Sequence, residues 1–128
     1  MDTTFSGKFV LNKSLTAEHK EVLEEFWDEE HADETGQTGT DGKPDSVYCQ
    51  WRPTEDGMGL EWDGIEKFYD YVEWLEYMVS HFIKPWGYSL NGSVTWTSTI
   101  YEPARGTIHV RDNHISVTSE PPPQERSG

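Results

Sequence analysis

Aromatic residues constrain this chain's fold most, because they decide whether a sequence so poor in apolar residues can build a core. Only 34% of its 128 residues are apolar, a share that by itself suggests disorder. Six Trp, six Tyr and five Phe offset this, since each ring buries a large area. We therefore predict one domain over 1–118, with a mobile acidic loop at 32–46 and a disordered, proline-rich tail at 119–128.

Two segments have the spacing of amphipathic helices. In the first, Thr16 is a suitable N-cap, and Glu18 lies in the first turn, where the helix dipole favours a carboxylate. The apolar stripe of this helix is Val22, Leu23, Phe26 and Trp27. The second helix is predicted over 64–84, opened by Asp63 and Glu66 as a variant of the capping box. Its main core residues are Phe68, Val72, Leu75, Val79 and Phe82.

Alternation of apolar and polar residues predicts strands in much of the remaining chain. These strands are expected over 5–11, 47–51, 58–62, 92–101, 107–111 and 114–118. Asp112 and Asn113 tolerate the left-handed conformations of a tight turn, so the last two strands form a hairpin. Its register is fixed by two apolar pairs, Val110 with Ile115 and Ile108 with Val117.

These elements predict an α+β fold, with an antiparallel sheet of about five or six strands and two helices packed on one face. The first and last strands are expected to form the sheet edges, through which two copies could pair as a homodimer. The polar side of the C-terminal hairpin collects Thr107, His109, Arg111, His114, Ser116 and Thr118. A small-molecule binding or catalytic module on this sheet face is one alternative interpretation of the chain.

The net charge of −14 lies entirely in the first 83 residues. That part carries 20 Asp and Glu against six Lys and Arg, whereas residues 84–128 carry four of each kind. Direct binding to DNA or RNA is disfavoured, because no basic cluster is available to neutralise phosphates. A basic protein is the class of partner that this charge favours.

The acidic residues become a candidate binding surface because they fall at helical spacing. The predicted centre is Glu66, Asp70, Glu73 and Tyr77, and the first helix contributes steering carboxylates at Glu18, Glu21, Glu25 and Asp28. Trp74 and His81 are expected at the margin of the same face, where aromatic residues would be needed for an interface rather than for solvation.

The sequence contains no recognisable catalytic or metal-binding motif. Its five histidines lack H-E-x-x-H and other metal-ligand spacings, and G-x-S-x-G, P-loop and dinucleotide fingerprints are absent. The single cysteine, Cys49, excludes an intramolecular disulfide and a cysteine-based zinc cluster. It is expected to be a buried thiol on the inward side of its strand. We predict a protein without enzymatic activity, cofactor or metal.

Residues 49–118 contain the strings CQWRPTEDG, LEWDGIEKFYDYVEWLEYMVSHFIKPWGYSLNGSVTW and GTIHVRDNHISV. This part resembles a family of small uncharacterised proteins of bacteriophages and prophages, most specifically in EKFYDYVEWLEY and KPWGYSLNG. The resemblance implies an accessory protein of a mobile element that acts in the host cytoplasm. It implies no functional residues, because the family has no established activity.

Together these features predict a non-enzymatic, acidic, phage-type accessory protein that binds and blocks a basic host protein. A defence nuclease is one such target, met in the manner of an anti-CRISPR or anti-restriction protein with DNA-mimic-like charge. An immunity-like protein that neutralises a basic toxin is a second alternative. It would bind its partner through the same attraction between acidic and basic surfaces. The chain shows neither a signal pattern nor an apolar run of 18 residues, so we expect a cytoplasmic protein without membrane contact.

Overall fold

A computed structural model describes residues 3–31, 43–44, 48–65, 70–98 and 105–120. Its strands are β1 (Thr3–Leu11), β2 (Trp51–Pro53), β3 (Gly59–Trp62), β4 (Leu90–Ser98), β5 (Arg105–Arg111) and β6 (His114–Glu120). They form one antiparallel sheet of six strands in the order β2-β3-β1-β4-β5-β6. The helices are α1 (Ala17–Asp28) and α2 (Tyr71–Met78), and α2 continues as a π-helix, Val79–Ile83. The predicted α+β fold class is confirmed.

Strand β1 lies in the middle of the sheet. It pairs with β4 along its whole length, from Thr3 opposite Ser98 to Leu11 opposite Leu90, and with β3 on its other side. The prediction that the first strand forms an edge is therefore wrong. The edges are β2 and β6, because the hairpin of β2 and β3 adds to the free side of β1.

The C-terminal hairpin has the predicted register. Val110 lies opposite Ile115 and Ile108 opposite Val117, and both turn residues, Asp112 and Asn113, have positive φ angles of 49° and 70°. The apolar side of this hairpin is nevertheless not buried throughout. Val117 is 44% exposed, because β6 is the last strand and has a neighbour on one side only.

The predicted β2–β3 hairpin is present, but its strand bounds differ. The first strand, predicted over 47–51, is β2 over Trp51–Pro53, and residues 48–50 are not in a strand. The second, predicted over 58–62, is β3 over Gly59–Trp62. Trp51 pairs with Trp62 across the hairpin. In the turn, the Asp56 carboxylate accepts hydrogen bonds from the Thr54 hydroxyl at 2.6 Å and the Met58 N–H at 3.0 Å. These bonds lower the pKa of Asp56, with the Thr54 hydroxyl as the largest cause.

The long second helix begins later than the sequence pattern suggests. Gly64 and Ile65 are not helical, and α2 starts at Tyr71. The predicted capping box fails because the Asp63 carboxylate is used elsewhere, accepting from the Ile65 N–H at 2.9 Å and the Trp27 indole N–H at 2.8 Å. Two residues assigned to this helix, Glu66 and Phe68, lie outside the described residues.

Aromatic rings join the helices to the sheet. Phe5 of β1 contacts Trp51 and Tyr71, with ring centroids 5.7 Å and 5.0 Å apart. In the helical layer, Phe26 of α1 packs edge-on against Trp74 of α2 at 5.8 Å. Trp74 is fully buried, so its predicted place at the margin of the solvent face is wrong. Helix α1 covers Trp74, whereas the residue pattern of α2 taken alone places Trp74 at the solvent boundary.

The N-terminus of α1 is capped as predicted. The Thr16 hydroxyl oxygen accepts from the His19 N–H at 3.1 Å. His19 then stacks on Trp86 at 3.9 Å, and its Nδ1 lies 2.8 Å from the hydroxyl of Tyr88, which is buried. The start of α1 is thereby held against the segment that enters β4.

Candidate functional site: an acidic groove beside α1

The predicted binding residues do not form one surface in the structure. Glu21, Glu25 and Asp28 are exposed along α1 and line a groove between that helix and the β2–β3 hairpin. Glu73 is exposed on α2 and lines a different groove. Glu18 is exposed in the first turn of α1, Asp70 is the N-cap of α2, and Glu66 lies outside the described residues.

The groove beside α1, called the acidic groove below, has a volume of about 870 Å³. Two distant parts of the sequence supply its carboxylates. They are Glu21, Glu24, Glu25 and Asp28 from α1, and Glu55 and Glu61 from the hairpin. Carboxylates on both walls give the groove a strongly negative potential, because charges of one sign in a cleft reinforce each other.

The two cations of the acidic groove are already paired. Lys20 Nζ lies 3.6 Å from Glu24 Oε2, and Arg52 Nε lies 3.3 Å from Glu61 Oε2. Among the described residues, the ion pairs do not include Glu21, Glu25 or Asp28. Glu21, Glu25 and Asp28 on the α1 wall, together with Glu55 on the hairpin wall, are therefore the groove carboxylates available to an incoming cation.

Trp27 fixes the relative position of the two walls. Its indole N–H donates to the Asp63 carboxylate at 2.8 Å, and the guanidinium carbon of Arg52 lies 5.7 Å from its ring centroid. Cation–π contact and a charge-assisted hydrogen bond thus link α1 to β2 and to the residue that follows β3. The groove is consequently held open by side-chain contacts made in the free protein.

A small apolar notch of about 280 Å³ continues from the acidic groove past Trp27. Tyr48 and Ile65 stand at its rim and are 49% and 57% exposed. The Tyr48 hydroxyl donates to Glu30 at 3.0 Å, and this bond is the main reason why the pKa of Tyr48 is raised. The notch therefore has room for an apolar side chain beside the acidic groove.

The groove beside α2 has a volume of about 560 Å³ and a mixed charge. Glu73 and Glu76 line it together with Lys43 and Lys84. Tyr77, the predicted aromatic anchor, is half-buried. Its ring stacks on His81 at 3.9 Å and on Phe26 at 5.5 Å. Tyr77 thus contributes to packing between the helices and leaves little ring surface for a partner.

The polar face of the C-terminal hairpin lies on the outer side of the sheet. His109 faces Ser116 and Arg111 faces His114, as the register predicts. His109 Nδ1 lies 3.2 Å from the Ser93 hydroxyl, and its Nε2 lies 3.2 Å from that of Thr118. The His109 ring therefore links the side chains of β4 and β6 on this face. Within the described residues, no three His, Cys, Asp or Glu side chains are grouped to hold a metal ion.

Cys49 is a buried thiol, as predicted, and is only 1% exposed, but it precedes β2 and does not lie in a strand. Its Sγ lies 3.5 Å from the Met78 sulfur and 3.7 Å from the Trp51 carbonyl oxygen. Burial raises the pKa of Cys49 to about 12. The thiol is consequently protonated at neutral pH and is a poor nucleophile.

Several groove residues escaped the sequence analysis. They are Arg52, Glu55 and Glu61, which lie at turn and strand positions of the predicted hairpin. The sequence around them does not indicate that they face α1. The alternation that predicted the hairpin shows which face of the sheet each residue lies on. It does not show which other element packs against that face. The contact between α1 and β2 joins residues that are far apart in sequence, so local sequence patterns do not reveal it.

The chain matches no protein-family model, no curated protein and no solved structure. The resemblance to phage proteins therefore stays a prediction. None of the described helices combines the length and the hydropathy that crossing a bilayer requires.

Proposed function

We propose that this protein is a non-enzymatic binding protein whose acidic groove holds a basic segment of a partner protein. One observation carries the proposal: the groove has six carboxylates, and both of its cations are already paired. Bringing Lys or Arg side chains into such a groove replaces repulsion between carboxylates with attraction. That gain appears mainly as association rate and specificity.

The spacing of charge on α1 favours a partner that normally binds nucleic acid. Its acidic side chains are Glu18, Glu21, Glu24, Glu25 and Asp28. At 1.5 Å of rise per residue, this is roughly one carboxylate per 3–4 Å of helix axis, a charge density close to that of one DNA strand, which has one phosphate per about 3.4 Å of duplex axis. A basic cleft that binds phosphates would therefore meet a similar density of negative charge along α1.

This similarity supports the narrower proposal that the target is a nucleic-acid-binding protein, such as a host defence nuclease, which is blocked while the groove is occupied. A phage-encoded inhibitor of the anti-CRISPR or anti-restriction type would have this property. An immunity protein against a basic toxin differs only in the identity of the partner.

The groove is tested with a fluorescein-labelled oligoarginine peptide and the full chain, by fluorescence anisotropy at low and high salt. We expect affinity to fall steeply with salt, because exposed charges are screened over about 10 Å at 0.1 M ionic strength. The variant Glu21→Gln/Glu25→Gln should bind about tenfold more weakly, since each carboxylate contributes up to about 1 kcal/mol.

The matched control is Glu73→Gln/Glu76→Gln, which removes the same charge from the groove beside α2. It should bind the peptide nearly as well as the unmodified chain. Equal losses in the two variants would mean that only net charge matters, and a loss confined to the control would move the site to α2. Either result contradicts the acidic groove as the binding site.

The target class is tested by capture from bacterial lysate at low and high salt, followed by competition with duplex DNA. A nucleic-acid-binding target should be released by excess duplex DNA, whereas a basic toxin without a DNA site should not. Salt-independent stabilisation of the protein by small metabolites, with no captured protein, would favour instead the small-molecule module on the outer sheet face.

A further inference from the structure

The two edges of the sheet differ in how well they resist pairing with another strand. Strand β2 has three residues, of which Pro53 lacks an N–H and Arg52 is charged. Strand β6 has seven residues, His114–Glu120, without proline, lysine or arginine. Natural sheets protect their edges with short strands, proline and charge. By these criteria β2 is protected, whereas β6 has a single carboxylate, at its last residue, Glu120.

The turn of the C-terminal hairpin determines which backbone groups of β6 are available. Two positive-φ residues, Asp112 and Asn113, connect Arg111 to His114, which makes this closing pair hydrogen-bonded. Bonding then alternates along the strand. The N–H and C=O groups of Ile115, Val117 and Ser119 therefore point away from β5, and no described segment pairs with them.

We propose that β6 pairs antiparallel with β6 of a second copy of this chain, about a twofold axis at Val117. Val117 then lies opposite its own counterpart, and Ile115 lies opposite Ser119 of the other copy. Each of these positions presents the outward N–H and C=O groups that an antiparallel ladder requires. The register also uses all seven residues of the strand, because Val117 is its central residue.

The side chains of β6 are compatible with this register. Val117 is 44% exposed, so pairing removes apolar surface from water on both copies. The positions of Ser116 and Thr118 face each other across the axis, and the position of His114 faces that of Glu120. Matched hydroxyls are a favourable cross-strand pair, and no like charges are opposed.

The inference is independent of the proposed function, because β6 and the β2–β3 side of the acidic groove lie at opposite edges of the sheet. Sedimentation of the full chain over a range of concentrations should give a monomer–dimer equilibrium. The variant Val117→Pro should raise the dimer dissociation constant by about tenfold or more, because it removes one ladder bond from each copy at the axis. The Val117 N–H is not bonded to β5, so the hairpin should persist, as checked by circular dichroism.

A cysteine pair tests the register itself. In the proposed dimer, the two copies of residue 117 have Cα atoms about 5.5 Å apart, within disulfide range. Val117→Cys should therefore crosslink under mild oxidation. Ile115→Cys is the matched control, since its two copies are displaced by four residues, about 13 Å. Native Cys49 does not interfere, because it is 1% exposed.

Three outcomes would overturn the inference. The first is a chain that sediments as a monomer at all concentrations, and the second is a dimer that Val117→Pro leaves unchanged although the variant is folded. The third is crosslinking of Ile115→Cys in place of Val117→Cys, which would show a different register. If Val117→Pro does not fold, Val117→Lys replaces it, because two lysines at the axis repel each other while β6 keeps all its N–H groups.

Discussion

The helices α1 and α2 have similar sequences in outline and different surroundings in the structure. Both are acidic and both carry a tryptophan between carboxylates, at Trp27 and Trp74. Trp27 is half-buried at the acidic groove, whereas Trp74 is fully buried beneath α1. The comparison teaches that aromatic residues beside carboxylates do not by themselves mark a binding surface. What distinguishes α1 is that its carboxylates face a second acidic wall.

The largest expected effect is on the free energy of unfolding and comes from Trp74, the buried tryptophan of the pair. Trp74→Ala should lower the free energy of unfolding by about 3–5 kcal/mol, because it leaves a cavity where a fully buried ring meets Phe26 and His31. Chemical denaturation measures the change, with the exposed neighbour Glu73→Ala as control. A loss below about 1 kcal/mol would break the contrast between the two tryptophans.

The next effect is a loss of stability in alkali through Cys49, which lies against α2 at Met78. Its pKa is raised from 9.0 to about 12 in the folded protein. As pH rises, the unfolded chain therefore loses the thiol proton before the folded protein does. The stability that the buried, protonated thiol contributes is fully present below pH 9 and declines as pH rises toward 12. The slope is about 1.4 kcal/mol per pH unit.

Denaturation of the native chain and of Cys49→Ala, measured at intervals between neutral and alkaline pH, isolates this contribution. The variant should be less stable at neutral pH and should lose less stability in alkali. Parallel curves for the two proteins would contradict burial of the thiol.

On the groove side, Trp27→Phe should cost about 1–2 kcal/mol. It keeps most of the ring and removes the hydrogen bond to the Asp63 carboxylate. If the indole fixes the groove walls, Asp63→Asn in the Trp27→Phe background should have little further effect, and a double-mutant cycle measures this coupling. Fully additive losses would show that Trp27 and Asp63 act separately.

The smallest effect is a gain in stability. Glu21 and Glu25 are one helical turn apart on α1, and like charges at this spacing repel by about 0.2–0.5 kcal/mol. Glu21→Gln/Glu25→Gln should therefore unfold at a slightly higher temperature at low salt, and at an unchanged one at high salt. A loss of stability would mean that these carboxylates support the fold, which would weaken their assignment to binding.

Local features of the fold were predictable from the sequence. The β5–β6 register followed from two apolar pairs and two residues suited to a left-handed turn, all within a few residues of each other. The Thr16 cap followed from the same kind of local chemistry. Such features depend on neighbours in sequence, which a single chain reveals directly.

Long-range features were not predictable. The start of α2 was placed too early: Asp70, directly before Tyr71, has a left-handed backbone with φ 57°, and Asp63 is bound by Trp27, a residue far away in sequence. The burial of Trp74 depends on where α1 lies, and the central place of β1 depends on partners in β3 and β4. Only part of the candidate site was predicted from the sequence, for the same reason. The carboxylates of α1 were identified, whereas the wall formed by Glu55 and Glu61 was not.

The central position of β1 also has a consequence for the order in which this protein folds. Thr3 pairs with Ser98, so the first strand has no complete partner until most of the chain has been synthesised. At about 5–20 residues per second, β1 waits several seconds on the ribosome. The C-terminal hairpin, by contrast, closes through a two-residue turn on a microsecond scale. We therefore expect slow, non-local docking of β1 onto β4 to limit folding.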